Sequence, residues 1–161
     1  MVLPFEPLTE KILEAAFEVS NELGAGFLES VYEQALFVAL KDKDLRVERQ
    51  VPIKVFFRGQ LAGVFQADLV VENDIILELK AVKALLPEHQ AQVLNYLKAS
   101  GKPVGLLINF GHPHVVWMCF DNRFEKDMKN KDERDERDES KNNEDLADRV
   151  LKSNAHLVLE N

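Results

Sequence analysis

The sequence predicts an α/β fold of the α+β type, a mixed central sheet flanked by helices. Three observations lead there. Two segments with helical periodicity open the chain, three β-rich segments follow with loops of only three residues between them, and one more helical segment precedes two apolar strands. The order α, α, β, β, β, α, β, β contains no internal repeat.

From Leu8 to Leu23, Glu10, Glu14, Glu18 and Glu22 form an acidic stripe opposite Ile12, Ala16, Val19 and Leu23, the pattern of an amphipathic helix. Gly24 and Gly26 end it. A second helix is expected from about Phe27 to Lys41, and the run Leu36, Phe37, Val38, Ala39, Leu40 predicts that it is buried around much of its surface. After Asp42, Lys43 and Asp44 come strands at Leu45 to Phe57, Leu61 to Val71 and Ile75 to Lys80. The short loops Arg58-Gly59-Gln60 and Glu72-Asn73-Asp74 between them favour an antiparallel meander. Pro87 suits the first turn of a third helix ending near Ser100, where Gly101-Lys102-Pro103 stops it. Strands at Val104 to Phe110 and Val115 to Cys119 complete the order.

At 161 residues, with 46% hydrophobic and 30% charged residues, the chain has the length and composition of one soluble globular domain. No apolar run approaches the ~20 residues of a membrane helix, and the start MVLPFEPLTE lacks the basic and apolar regions of a signal peptide, so a cytoplasmic location with no membrane partner is expected. Cys119 is the only cysteine, which excludes an internal disulfide and an all-cysteine metal site. The net charge of −8 argues against a protein that coats nucleic-acid backbone. Residues 1–120 carry 15 acidic against 11 basic side chains, and residues 121–161 carry 13 against 9. The second part has no Gly or Pro and almost no apolar residue before Leu146, so it reads as a charged appendage, helical or disordered, on a domain spanning 1–120. Pairs such as Glu125 with Lys129 and Glu133 with Arg137, four apart, would support a solvated helix.

The stretch FQADLVVENDIILELKAV alternates on both of its strands. Phe65, Ala67, Leu69 and Val71 share one face of the first, while Ile75, Leu77 and Leu79 share one face of the second. A loop of Glu72, Asn73 and Asp74 pairs Val71 with Ile75 and Leu69 with Leu77, bringing both apolar rows to one side. The same register sets Asp68 opposite Glu78 and Gln66 opposite Lys80, and so gathers Asp68, Glu78 and Lys80 into one patch. Two opposed carboxylates repel unless a cation sits between them. That cation is either a hard divalent ion, Mg²⁺ or Mn²⁺, or the Lys80 ammonium acting as a structural ion pair.

Two further features bear on that choice. Glu29 lies in line with Tyr32, Leu36 and Leu40, where a carboxylate on an apolar face needs a cation or donor; alternatively, near the helix start, it faces solvent and favours the helix dipole. Gln92 and Tyr96, four apart, project from one face of the third helix, as site residues or as a core-edge tyrosine beside a solvated amide. His89 sits on that helix, and His112 and His114 read as loop residues.

Taken together, Gly26-x-x-Glu29-x-x-Tyr32, Asp68, Glu78-Leu79-Lys80 and Gln92-x-x-x-Tyr96 resemble, in order, the motifs of the PD-(D/E)xK nuclease superfamily. They resemble more closely its small prokaryotic proteins named for the Gly-x-x-Glu-x-x-Tyr motif. The resemblance spans about residues 8–110. It implies a restriction-endonuclease-like αβββαβ core and a divalent metal, Mg²⁺ or Mn²⁺, held by Glu29, Asp68, Glu78 and the backbone carbonyl of Leu79. It also implies Lys80 near the attacking water, with Gln92 and Tyr96 as in RecB-type nucleases. Ala67 stands where the superfamily name has Pro. Relatives often carry His, Pro, Arg and Glu at the positions of Ser20, Ala25, Gln66 and Gln90.

The function implied is a metal-dependent phosphodiesterase that hydrolyses nucleic acid, DNA being the first expectation, by metal-activated water. Arg46, Arg49, Lys54, Arg58, Lys83 and Lys98 are candidate substrate contacts. The rival is a non-enzymatic module that keeps the fold and binds nucleic acid or protein.

Overall fold

The computed structural model describes residues 5–122. They form α1 (Glu6–Leu23), α2 (Glu29–Asp42), β1 (Val47–Phe57), β2 (Gln60–Val71), β3 (Ile75–Lys80), α3 (Pro87–Ser100), β4 (Val104–Asn109) and β5 (Val116–Asp121). The strands make one sheet in the order β1-β2-β3-β4-β5. Neighbours are antiparallel except β3 and β4, whose parallel pairing follows from the α3 crossover that returns the chain to the starting end of the sheet. The mixed sheet with flanking helices is therefore as expected, and α1 and α2 cover one face while α3 covers the other.

In α1 the acidic stripe faces solvent, and Ile12, Ala16 and Val19 enter the core. The second helix differs from expectation in two ways. It begins at Glu29, not Phe27, and it buries one face through Tyr32, Glu33, Leu36 and Leu40 while Val38 remains 47% exposed. A helix in an outer layer meets neighbours on one side only, so an apolar run longer than that contact leaves residues outside. On the opposite face, Gly105 lets α3 lie directly on β4, because a Cβ there would come within 2.5 Å of Val93 Cγ1.

The β2–β3 register is the expected one, with Val71 opposite Ile75, Val70 opposite Ile76 and Leu69 opposite Leu77. The ladder stops there, so neither Asp68 with Glu78 nor Gln66 with Lys80 forms a strand pair. On the other side of β2 the ladder to β1 runs through Arg49–Leu69 and Val51–Ala67, but omits Gln50 with Asp68. Gln50 has a left-handed backbone, φ 49°. Across this kink the packing face changes. Leu69 and Val71 join the core under α1 and α2, whereas Ala67 joins the α3 side beside Ile53, and the Phe65 ring lies 5.9 Å from that of Tyr96. The expectation that Phe65, Ala67, Leu69 and Val71 share a face is thus corrected, since strict alternation holds only along an unbroken pleat.

The last strand runs two residues past Cys119, and buried Asn122 donates its amide to the carbonyls of Leu97 (3.2 Å) and Lys102 (3.1 Å). The rest of the charged appendage lies outside the described residues. Among those described, no helix is long and apolar enough to cross a membrane.

Candidate active site

The kink that ends the β2–β3 ladder is what places Asp68. Its Oδ2 accepts the Leu79 backbone N–H at 2.7 Å, so the carboxylate takes the bond a strand partner would have made. Glu78 and Lys80, two apart on β3, project to one side, and Lys80 Nζ donates to Glu78 Oε1 at 2.9 Å. Glu78 Oε2 is buried without a hydrogen-bond partner among the described residues. An unpartnered oxygen on a carboxylate 3% exposed is costly, and the titration behaviour reflects it.

Burial, joined by the Asp68 charge, pushes Glu78 up to about 7 against the pull of Lys80. Asp68 is pushed up to about 6, mainly by burial; its bond from Leu79 opposes this, and the charges of Glu29 and Glu33 add to it. Burial draws Lys80 down, but its hydrogen bond to Glu78 and the surrounding carboxylates more than offset that, so its pKa rises and it stays protonated. The three side chains form one coupled group in which two carboxylates share a single cation.

Glu29 reaches this group through its field, raising the pKa of both Asp68 and Glu78. It is the first residue of α2 and is exposed, so the helix-start reading of its position holds and the buried-face reading does not. The rest of its motif is a brace for the α1–α2 loop. Gly26 turns the chain at φ +113°, a conformation rarely open to other residues. Tyr32 is fully buried, stacks on Phe110 at 4.8 Å, and donates its hydroxyl to the Gly24 carbonyl at 2.6 Å while accepting Phe27 N–H at 3.3 Å.

Gln92 donates its amide to the Tyr96 hydroxyl at 2.9 Å. Burial raises the Tyr96 pKa, the Gln92 bond opposes it, and Glu78 and Asp68 raise it further, which brings the α3 pair within electrostatic reach of the β3 carboxylates. His89 plays a structural part, since its Nδ1 accepts Leu86 N–H at 3.0 Å at the start of α3. His112 and His114 lie in the β4–β5 loop, as expected.

Sequence reasoning missed three supports. Glu33, 7% exposed, holds Arg49 through Oε1 (3.0 Å) and Gln50 through Oε2 (2.8 Å), pinning the β1 side of the kink to α2. Asn109 accepts the N–H groups of Val82 and Gly111 through Oδ1 and donates to the Val82 carbonyl, so it clamps the chain just after Lys80. Gly111 makes the clamp possible, since a Cβ there would lie 2.1 Å from the Val82 oxygen. The available signal for Glu33 was a second glutamate one turn after Glu29; a lone asparagine or glycine carries none.

A family model described as the PD-(D/E)XK nuclease superfamily matches residues 6–118. The chain belongs to this superfamily. Among solved structures, the crystal structure of SSO0001 is 19% identical with a TM-score of 0.45, covering 71% of this chain and 58% of that one. No curated protein matches.

Members of the PD-(D/E)XK superfamily are typically metal-dependent, so the donor set bears on metal binding. Among the described residues, no three carboxylate, imidazole or thiol side chains gather as a ligand set, and the expected trio of Glu29, Asp68 and Glu78 is accordingly not assembled. Glu29 stands at a helix start with its side chain in solvent, and the Lys80 ammonium serves as the counter-charge. The pair itself fits a hard cation. Mg²⁺ takes only one or two protein carboxylates and keeps several waters, and the unpartnered Glu78 oxygen with the raised Asp68 and Glu78 pKa values is the condition a divalent ion would relieve.

Proposed function

We propose that this protein is a nuclease that hydrolyses phosphodiester bonds of nucleic acid with Mg²⁺ or Mn²⁺. Within the superfamily we place it with the small proteins named for the motif formed here by Gly26, Glu29 and Tyr32. The observation that carries the reading is the pair of charge-crowded carboxylates, half-buried Asp68 and buried Glu78, beside the protonated Lys80.

Asp68, Glu78 and the backbone carbonyl of Leu79 would hold the ion, with Glu29 on the solvent side. When bound, it supplies Lewis acidity toward a phosphate oxygen and acidifies water. The chain's own residues do the rest. Lys80, kept cationic by its neighbours, orients the attacking water and offsets charge that develops on phosphate in the transition state. Tyr96, oriented by Gln92, presents a neutral hydroxyl toward the same space. The Asn109 clamp fixes the direction in which the chain leaves Lys80.

The Lys80–Glu78 ion pair is the observation that favours the rival, a binding module in which the lysine is purely structural. Cleavage of single- and double-stranded DNA and RNA in Mg²⁺, Mn²⁺ and chelator separates the two. The nuclease reading expects metal-dependent cleavage that falls at least a hundredfold in Lys80→Ala with an unchanged circular dichroism spectrum. Equal cleavage in chelator, or full activity in Lys80→Ala, rejects it.

A further inference from the structure

Between α3 and the far half of the β1–β2 hairpin lies a groove of about 830 Å³, within the ~300–1,000 Å³ range of sites that enclose a small organic molecule. Its walls are unlike those of a core. Phe56 and Phe65 on the hairpin side are 60% and 50% exposed, large rings left half or more in water although Phe65 has Tyr96 beside it. Lys54 of β1 and Lys98 of α3 both line it, and neither makes an ion pair among the described residues; Glu88 is the one acidic lining residue. Gln92 and Tyr96 also line it, and Tyr96, held by Gln92, lies within electrostatic reach of the Asp68–Glu78–Lys80 group.

We infer that this groove holds a single nucleic-acid strand, its unpaired bases against Phe65 and Phe56 and its phosphates near Lys54 and Lys98, and leads that strand past Tyr96 to the carboxylate pair. The inference deepens the nuclease reading by naming the strandedness of the substrate, and it rests on that reading for direction only. Two properties of the groove agree with a strand and not a duplex. Exposed rings reward a base only when the base is unstacked from its complement, and base–aromatic stacking is tolerant of sequence. The cations sit beside the rings, as alternating base and phosphate require. The kink at Gln50 and Asp68 is what builds the site: by turning the hairpin toward α3 it brings Phe65 next to Tyr96, with ring centroids 5.9 Å apart.

Phe57 supplies the control. It is 65% exposed like Phe56, but it does not line the groove, and the Arg58 guanidinium lies over its ring, 5.0 Å from the centroid. The experiment measures fluorescence anisotropy of labelled dT and rU fifteen-mers, and of a fifteen-base-pair duplex, on the full chain in low salt with chelator. Binding is then read without cleavage. The wild type is expected to bind the single strands at least tenfold more tightly than the duplex. Phe65→Ala and Phe65→Leu should each weaken single-strand binding about five- to a hundredfold, Phe65→Trp should preserve it, and Phe57→Ala should leave it within twofold. The double variant Lys54→Glu with Lys98→Glu should lose binding and flatten its salt dependence. Phe65→Leu keeps apolar bulk, so its loss of binding reports the ring and not the fold. A duplex bound as tightly as the strands, absent strand binding, or equal effects of Phe65→Ala and Phe57→Ala would overturn the inference. Lys80→Ala that still binds strands but does not cut them leaves both readings standing. Strand binding without metal-dependent cleavage by the wild type removes the nuclease reading and keeps the groove.

Discussion

Replacing Asp68 with Asn tests the charge-crowded site without any substrate. In the metal-free protein the folded-state pKa of Asp68 is raised to about 6 and that of Glu78 to about 7, from ordinary values of 3.8 and 4.5. The folded state therefore holds more protons than the unfolded chain between those limits, so stability falls as pH rises from about 4 to about 7. For Asp68 alone, a shift of this size corresponds to at most roughly 3 kcal/mol of lost stability once the group is ionised. Asn keeps an acceptor for the Leu79 N–H, now 2.7 Å from Asp68 Oδ2, but it buries amide donors at a cost of about 1–2 kcal/mol. The net expectation at pH 8 in chelator is a variant about 1–2 kcal/mol more stable than wild type, or about 5 °C in melting temperature. At pH 5, where wild-type Asp68 is itself mostly protonated, the advantage should vanish or reverse. Adding Mg²⁺ at ten times its dissociation constant should stabilise the wild type by roughly 1.4 kcal/mol and the variant by far less. The assay is thermal melting of both proteins at pH 5 and 8, with chelator and with Mg²⁺ or Mn²⁺. A variant less stable than wild type at pH 8 in chelator, with neither protein responding to metal, would refute the crowding argument and leave Lys80–Glu78 as a structural pair.

Three other outcomes are expected. Gly111→Ala should lower stability by about 2–3 kcal/mol, because its Cβ would press on the Val82 backbone; an unchanged melting temperature would contradict the clamp. Tyr32→Phe should cost about 1 kcal/mol by freeing the Gly24 carbonyl, and should reduce cleavage more than it reduces strand binding, since it loosens the loop that leads into Glu29 at the start of α2. A chain ending at Phe124 should melt cooperatively, because the described residues 5–122 already supply a buried cluster on each face of the sheet; a broad or absent transition would show otherwise.

What could be read from the sequence was whatever periodicity and loop length control. The three-residue turn and two apolar rows were enough to obtain the register through Leu69–Leu77, and with it the nearness of Asp68, Glu78 and Lys80. Periodicity could not show that the ladder ends one residue short of Asp68, because a kink at Gln50 obeys no repeat. That single interruption turned an expected carboxylate pair across two strands into a carboxylate that caps Leu79, and it carried Phe65 and Ala67 to the other face. The position of Glu29 was ambiguous for a related reason. Its spacing from Tyr32 and Leu36 fits the buried stripe, but whether the stripe is covered at its first turn depends on where the helix starts. Glu33, Asn109 and Gly111 act through contacts with residues far away in sequence; nothing local marks Asn109 or Gly111, and only its spacing from Glu29 marks Glu33.

The bare backbone at Gly105 gives the groove the character of a caliper with one fixed jaw. With no side chain between them, α3 and β4 are pressed together at atomic contact, so the helix cannot be raised, lowered or re-angled without tearing Val93 and Leu97 from their seat. The opposing jaw is the outer half of the β1–β2 hairpin, whose rings stand in water. Adjustment of the opening therefore belongs to the hairpin. An attempt to widen, narrow or re-aim the cleft for a different polymer should vary the length and tip of that hairpin, and should leave the helix alone as the reference surface.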